Sequence, residues 1–150
     1  MSRGILFLCT GNACRSQMAE GFARRLLPPA VPVFSAGIIP SGLDPRAVAV
    51  MAEVGVDISA QRSKSITDVP VHQVGRVITL CGEAAEQCPT LPGTKREHWP
   101  LLNPARAQGS EPEVLSVFRS VRDEVLARIR LLADSACRAE TNASATEVLP

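Results

Sequence analysis

The chain of 150 residues has no tyrosine, one tryptophan, four phenylalanines and two histidines. So few aromatic rings exclude the stacking platforms on which binders of single-stranded nucleic acid hold their bases. Charge of one sign is lacking too, since sixteen Lys and Arg stand against fifteen Asp and Glu, a formal net charge of +1. No broad basic face for nucleic acid is therefore expected, and any anion site has to be local. Long apolar runs are also missing. The stretch Gly4 to Cys9 is far too short to span a membrane and passes directly into Thr10-Gly11-Asn12. Neither a membrane nor export is indicated, and the chain reads as cytoplasmic. His72 and His98 stand too far from any cysteine cluster to suggest zinc, so no metal is expected.

What is present is cysteine: Cys9, Cys14, Cys81, Cys88 and Cys137. An odd number cannot all pair, and without a secretion signal the thiols suggest redox or nucleophilic chemistry more than structural bridges. The plainer alternative is that they are small buried hydrophobes. Hydrophobic residues make up 45% and charged residues 21%, a composition that suits one globular domain with a single core.

Apolar patterning alternates between two periods. Ile5 to Leu8 read as a strand buried on both faces. Met18, Ala19, Phe22, Leu26 and Leu27 follow at helical spacing until Pro28-Pro29 ends the run. Val31 to Phe34 form a second strand, and Asp44-Pro45 open a helix that Gly55 closes. Val56 to Val74 read as loop with one short helix at most. Val77 to Leu80 are the third strand and Arg96 to Trp99 a weaker fourth. Ser110 and Glu113 form a capping box before a helix whose apolar stripe is Val114, Phe118, Val121, Val125, Ile129 and Leu132. Residues 1–137 are read as the domain and Arg138 to Pro150 as a flexible tail. Strands alternating with helices predict an α/β fold with a parallel sheet covered on both sides, whose sites lie at the carboxyl ends of strands. A thioredoxin-like α+β domain ranks below, because no Cys-x-x-Cys occurs.

Cys9 and Cys81 both stand at such strand ends. In Cys9-Thr10-Gly11-Asn12-Ala13-Cys14-Arg15-Ser16 a thiol, a short loop, an arginine and a helix start follow one another. The amides of such a loop and the positive end of the helix dipole cradle a tetrahedral oxyanion, and Arg15 can clamp two of its oxygens. The same field favours negative charge on the Cys9 sulfur, the nucleophilic form, to which Ser16 can donate a hydrogen bond. The substrate oxyanion is thus expected against Thr10, Gly11, Asn12, Ala13, Cys14 and Arg15.

From about Gly4 to about Leu132 the chain resembles the low-molecular-weight tyrosine phosphatases and the thioredoxin-coupled arsenate reductases that share their flavodoxin-like fold. The string from Cys9 through Ser16 to Gln17-Met18-Ala19-Glu20-Gly21 is similar to the reductase branch. The Cys81 and Cys88 pair, alone weak evidence, matches that branch as well. The resemblance implies a single domain with a four-stranded parallel sheet and a relay of three thiols. In that relay Cys9 forms an adduct with arsenate, Cys81 attacks Cys9 to release arsenite, and Cys88 passes the disulfide on to thioredoxin. It also implies no tightly bound cofactor, phosphate and sulfate as competing oxyanions, and a monomer.

Two positions depart from the family pattern. Where an acidic Asp-Pro is usual, this chain has Asn103-Pro104, and no aspartate occurs between Asp68 and Asp123. An amide cannot protonate a leaving group, which weighs against a phosphatase more than a reductase. Some reductases bind a cation through residues matching Asn12, Glu20, Ser35 and an aspartate; here Lys64 stands at the aspartate position. Its ammonium group, braced by Glu20 and Asn12, is expected to replace the ion. A phosphatase using Cys9 and Arg15 and a non-catalytic oxyanion binder are the alternatives. Glu83 and Glu86 are read as keeping the Cys81 segment solvated, Cys137 as a helix-end bystander, and Cys14 as packing inside the loop, close enough to Cys9 for an off-pathway disulfide.

Overall fold

The computed structural model describes residues 3–89 and 91–148, the side chains as far as residue 136. Four short strands form one parallel sheet: β1 (Gly4–Cys9), β2 (Val33–Gly37), β3 (Val74–Thr79) and β4 (Lys95–His98), in the order β2-β1-β3-β4. All six residues of β1 are buried, as befits an inner strand with a covered layer on each side. The pleat sends Ile5, Phe7 and Cys9 to one face and Leu6 and Leu8 to the other. On the Cys9 face pack α1 (Arg15–Leu26), α2 (Pro45–Glu53) and α4 (Glu111–Val148). Among the described residues the opposite face is covered by the short α3 (Gly82–Gln87) and by loop residues such as Ile38, Ile66, Val69 and Leu91.

The helices form for the reasons their sequences give. Met18, Ala19, Phe22 and Ala23 turn the buried side of α1 inward. Asp44 caps α2 by accepting the Arg46 amide at 2.9 Å, and Gly55 leaves it in the left-handed region at φ +78°. The capping box before α4 is present, with the Glu113 amide on Ser110 Oγ and the Ser110 amide on Glu113 Oε1, both at 3.3 Å. Phe118, Val121, Val125, Ile129 and Leu132 are all buried. Each contributes roughly 1.5 to 3 kcal/mol. Arg122 ties α4 to α2 through the Val50 carbonyl at 2.9 Å and Glu53 at 2.8 Å. Trp99, just past β4, is buried with its ring 5.9 Å from that of Phe7.

Several boundaries differ from the sequence reading. The second strand begins at Val33, two residues later than expected, and continues through Ser35 and Ala36 to Gly37 in register with Phe7 to Cys9. Its polar and small residues conceal the pairing. The third strand starts earlier, at Val74. The loop Val56 to Val74 contains two single turns of 3-10 helix, at Ile66–Asp68 and Val71–Gln73. Helix α3 was not expected, because its only buried residue is Ala84 and so it carries no apolar period. The backbone of α4 is helical to Val148, past the start of the expected tail at Arg138; the last two residues and the side chains of this stretch lie outside the described residues.

Candidate active site

The loop between Cys9 and Arg15 is held from outside by its carbonyls. Those of Cys9, Thr10, Gly11 and Ala13 accept the amides of Ile38, Ile39, Ser41 and Asp44 at 2.8 to 3.1 Å, so the chain after β2 shadows the loop. The Asn12 carbonyl accepts Gln17 Nε2 at 3.0 Å. With every carbonyl from Cys9 to Ala13 engaged, the loop has mainly N–H groups left to offer a ligand, which is the polarity an anion needs. Gly37 allows this close approach. A Cβ there would fall 2.8 Å from the Asn12 nitrogen and 2.8 Å from the Thr10 oxygen.

Asn12 stands at φ +47°, in the left-handed region, and is fully buried. Its side chain makes that conformation worthwhile. Nδ2 donates to Ser16 Oγ at 2.7 Å and Ser35 Oγ at 3.0 Å, while Oδ1 accepts the Lys64 amide and Gln17 Nε2, both at 2.9 Å. All four hydrogen-bonding positions of the amide are filled. The Asn12 backbone N–H points to Cys9 Sγ at 3.2 Å, and Ser16 Oγ lies 2.8 Å from the same sulfur. When Cys9 is a thiolate, both partners donate. Gln17, locked by Gln61 at 2.8 Å and by the Arg62 carbonyl at 3.0 Å, supports the loop from beneath. Sequence reasoning missed Gln17, Gln61 and Gly37, which act across long chain separations with no local signature.

Cys9, Thr10, Gly11, Ala13, Cys14 and Arg15 line a cavity of about 290 Å³, together with Asn103 from beyond β4. Arg15 is 7% exposed, and its guanidinium donates to the Leu101 carbonyl at 3.3 Å, which fixes its fork. An adjoining cavity of about 230 Å³ is bordered by Thr10, Arg15, Asn103, Cys81, Glu83 and Arg106. Thr10, Arg15 and Asn103 border both cavities, with Cys9 on the first and Cys81 on the second. Thr10 Oγ1 lies 3.1 Å from Cys81 Sγ and donates to Glu83 Oε2 at 3.2 Å. Arg106 was not anticipated as part of this wall.

Cys81 caps α3, its sulfur accepting the Ala84 amide at 3.3 Å. Cys88 closes the far end of the helix, buried in the cluster on the opposite face of the sheet, and borders neither cavity. Burial pushes the Cys88 thiol above its ordinary value, with Arg96 pulling the other way. At a rise of about 1.5 Å per residue the two cysteines are roughly 10 Å apart along the axis. A disulfide requires Cα atoms within roughly 7 Å. A bond between Cys81 and Cys88 therefore requires α3 to unwind. Cys9, Cys14, Cys81 and Cys88 are all free thiols. Cys137 lies outside the described side chains.

Asn103 uses its Oδ1 to cap a 3-10 turn, accepting the Ala105 amide at 3.1 Å, and keeps an amide NH₂ with no acidic proton. Lys64 reaches Glu20 and Ser35, but its ammonium does not meet Asn12. Its ammonium meets Glu20 Oε1 at 3.5 Å, Ser35 Oγ at 3.4 Å and the Arg62 carbonyl at 2.9 Å, whereas Asn12 is reached by the Lys64 backbone amide. Glu20 is buried and also accepts Ser35 Oγ at 2.6 Å and Arg24 at 3.2 Å. His98 is engaged with Thr79 at 2.9 Å, and among the described residues no group of three His, Cys, Asp or Glu could hold a metal ion. No helix among them is long and apolar enough to cross a membrane.

Comparison with known proteins finds relatives over most of the chain. The arsenate reductase of Bacillus subtilis (strain 168) is 52% identical over 132 residues, which cover 87% of this chain and 95% of that one. The solved structure of an arsenate reductase in the phosphate binding state superposes with a TM-score of 0.74 at 37% identity, over 89% of this chain and 98% of the other. The Corynebacterium glutamicum thioredoxin-dependent arsenate reductase Cg_ArsC1' gives 0.73 at 29% identity, over 92% of this chain and 63% of that chain. The family model for low molecular weight phosphotyrosine protein phosphatase matches residues 4–143. With that match, its sheet order and relatives named as arsenate reductases, the chain belongs to the low molecular weight phosphotyrosine protein phosphatase family.

Proposed function

We propose that this protein reduces arsenate to arsenite and passes the resulting oxidation out through two further cysteines to thioredoxin. Cys9 thiolate attacks arsenic held by the loop amides and the Arg15 fork, and a hydroxide or water leaves. Cys81 thiolate then attacks the Cys9 sulfur. The S–As bond breaks, its electron pair stays with arsenic, and arsenite departs as the Cys9–Cys81 disulfide forms. Cys88 attacks Cys81 in turn, returning Cys9 as a thiolate and leaving a Cys81–Cys88 disulfide, which a dithiol such as thioredoxin reduces.

The observation that carries this reading is the common wall between the two cavities, where Thr10, next in sequence to Cys9, lies 3.1 Å from the Cys81 sulfur. Ser16 and Asn12 serve the nucleophile in this scheme, and the lack of an acidic proton at Asn103 is tolerated because arsenate carries its own protons. The thioredoxin-dependent relative supports the choice of reductant, and the phosphate-bound relative supports phosphate as a competing oxyanion, with sulfate of the same shape. Lys64 takes the part of a bound cation, so potassium is not required. A phosphatase built on Cys9 and Arg15 would leave Cys81 and Cys88 idle and would lack its acid at Asn103.

The test is arsenate-dependent NADPH consumption with thioredoxin and thioredoxin reductase, run beside Cys88→Ser. Sustained turnover in the parent and at most one turnover in the variant is the expected result. Equal, sustained turnover in both would sink the relay. Aryl phosphate hydrolysis without arsenate reduction would favour the phosphatase, and oxyanion binding without either activity the non-catalytic binder.

A further inference from the structure

The cysteine nearest to Cys9 in sequence is Cys14, in the same loop and bordering the same cavity of about 290 Å³. Any electrophilic sulfur formed on Cys9 therefore has two protein thiols that could resolve it. Attack by Cys14 would release arsenite just as attack by Cys81 does, but it would leave a Cys9–Cys14 disulfide inside the oxyanion loop, at a buried position. Cys14 is 4% exposed. Something has to decide between the two thiols.

The surroundings of Cys14 supply that decision. Its sulfur donates to Asp44 Oδ2 at 3.6 Å, and since a carboxylate has no proton to give, the hydrogen must be that of the thiol. Asp44 is fixed to the loop and to α2 at once. Its amide donates to the Ala13 carbonyl at 3.1 Å, and its carboxylate receives Arg46 Nε at 3.0 Å, Arg46 Nη2 at 2.7 Å and the Arg46 amide at 2.9 Å. The Arg46 guanidinium lies over the Phe118 ring, 4.7 Å from its centre.

The charged groups facing Cys14 are Asp44 and Arg46 from α2 and Cys9 from the end of β1, with Arg15 on the same cavity wall. Burial first, and then the Asp44 charge, push the Cys14 thiol far above its ordinary range, against a smaller pull from Arg46. Asp44 is also a poor acceptor for that proton. Burial opposes its ionisation, but the Arg46 hydrogen bonds overcome this and hold the carboxyl below the usual carboxylate range.

We propose that Asp44 is a positioning residue that keeps Cys14 a thiol through the S–H to carboxylate hydrogen bond, and so reserves the attack on Cys9 for Cys81. The proposal rests on the reading that Cys9 becomes electrophilic during turnover. It extends to oxidants as well. With peroxide, Cys9 thiolate displaces hydroxide to give a sulfenic acid, and whichever thiolate then attacks that sulfur expels a second hydroxide and forms the disulfide.

The experiment maps disulfides by peptide mass spectrometry in the full chain carrying Cys88→Ser, after one equivalent of arsenate or of peroxide. With Asp44 present, Cys9–Cys81 is expected to dominate in both arms. With Asp44→Asn, which retains the helix cap, the Cys9–Cys14 share is expected to rise about tenfold near neutral pH, as a freed thiol ionises more readily. Its onset moves to lower pH than in the parent, and adding Cys14→Ser abolishes it. Arg46→Gln, which leaves the carboxylate but removes the cation that favours a Cys14 thiolate, is expected to give no rise. An unchanged Cys9–Cys81 product in Asp44→Asn, a rise of Cys9–Cys14 in Arg46→Gln equal to that in Asp44→Asn, or Cys9–Cys14 already dominant in the parent, overturns the proposal. A silent arsenate arm beside the expected shift in the peroxide arm upholds Asp44 and overturns the arsenate reading instead.

Discussion

Two cysteine-led segments leave the carboxyl ends of neighbouring strands and are built in opposite ways. The Cys9 loop has its carbonyls from Cys9 to Ala13 engaged, its central Asn12 fully buried and its arginine pinned on Leu101. The Cys81 segment is a six-residue helix that buries only Ala84, with Cys88 just beyond it. Few contacts cross from α3 to the body: Glu83 receives Thr10 Oγ1, and the Ala85 carbonyl receives Arg96 at 3.1 Å. A site that stabilises charge has to be rigid before the charge arrives. In the proposed relay the Cys81 segment has to come loose to carry a disulfide outward, and weak local stability would permit this. One sheet supports both because loops on the same rim can differ in how many of their polar groups are engaged elsewhere.

The sharpest way to break this comparison is to spoil the rigid side. Arg15→Lys keeps the charge but loses the fork, and kcat/KM for arsenate is expected to fall by about 100-fold or more, while single-turnover exchange between Cys81 and Cys88 is spared. Next comes Gly37→Ala, whose methyl meets loop backbone and not a flexible side chain. A loss of about 1 to 3 kcal/mol in denaturant unfolding is expected, with weaker oxyanion binding. Lys64→Ala leaves Glu20 and Ser35 without their ammonium partner. A loss of about 1 kcal/mol is expected, partly restored by potassium but not by sodium, and strong potassium stimulation of the parent itself would defeat the substitution.

The smallest effect falls on the loose side. Burial raises the Cys88 thiol and Arg96 partly counters it. Because the neutral thiol is the favoured form in the folded state, the reactive thiolate gains population as pH rises toward the raised value. The Cys88 step is therefore expected to accelerate with pH, and Arg96→Ala to move that profile upward and slow the step a few-fold near neutrality. Stopped-flow measurement of the exchange reads both.

Much of the scaffold was legible in the chain, and for identifiable reasons. The long apolar stripe of α4, the caps Asp44 and Ser110 and the breaks at Pro28 and Gly55 are local signals, and each sits where its chemistry predicts. So is the loop after β1, where a contiguous string carries both Cys9 and Arg15 to one cavity. Less legible were features whose meaning depends on a distant partner. Ser35 and Gly37 look unlike strand until β1 is beside them. Asp44 reads as a helix cap, and only the fold reveals that its second oxygen faces Cys14. Helix α3 left no trace because a helix that buries one alanine has no stripe to see.

The lone tryptophan gains a use from its position. The chain has no tyrosine, so emission excited in the near ultraviolet comes from the single ring of Trp99. That ring is buried against Phe7 on the strand that ends in Cys9, two residues before the carbonyl on which Arg15 rests. The protein thus contains an intrinsic optical reporter packed on the strand that leads to Cys9, and label-free fluorescence is expected to report rearrangement at that strand.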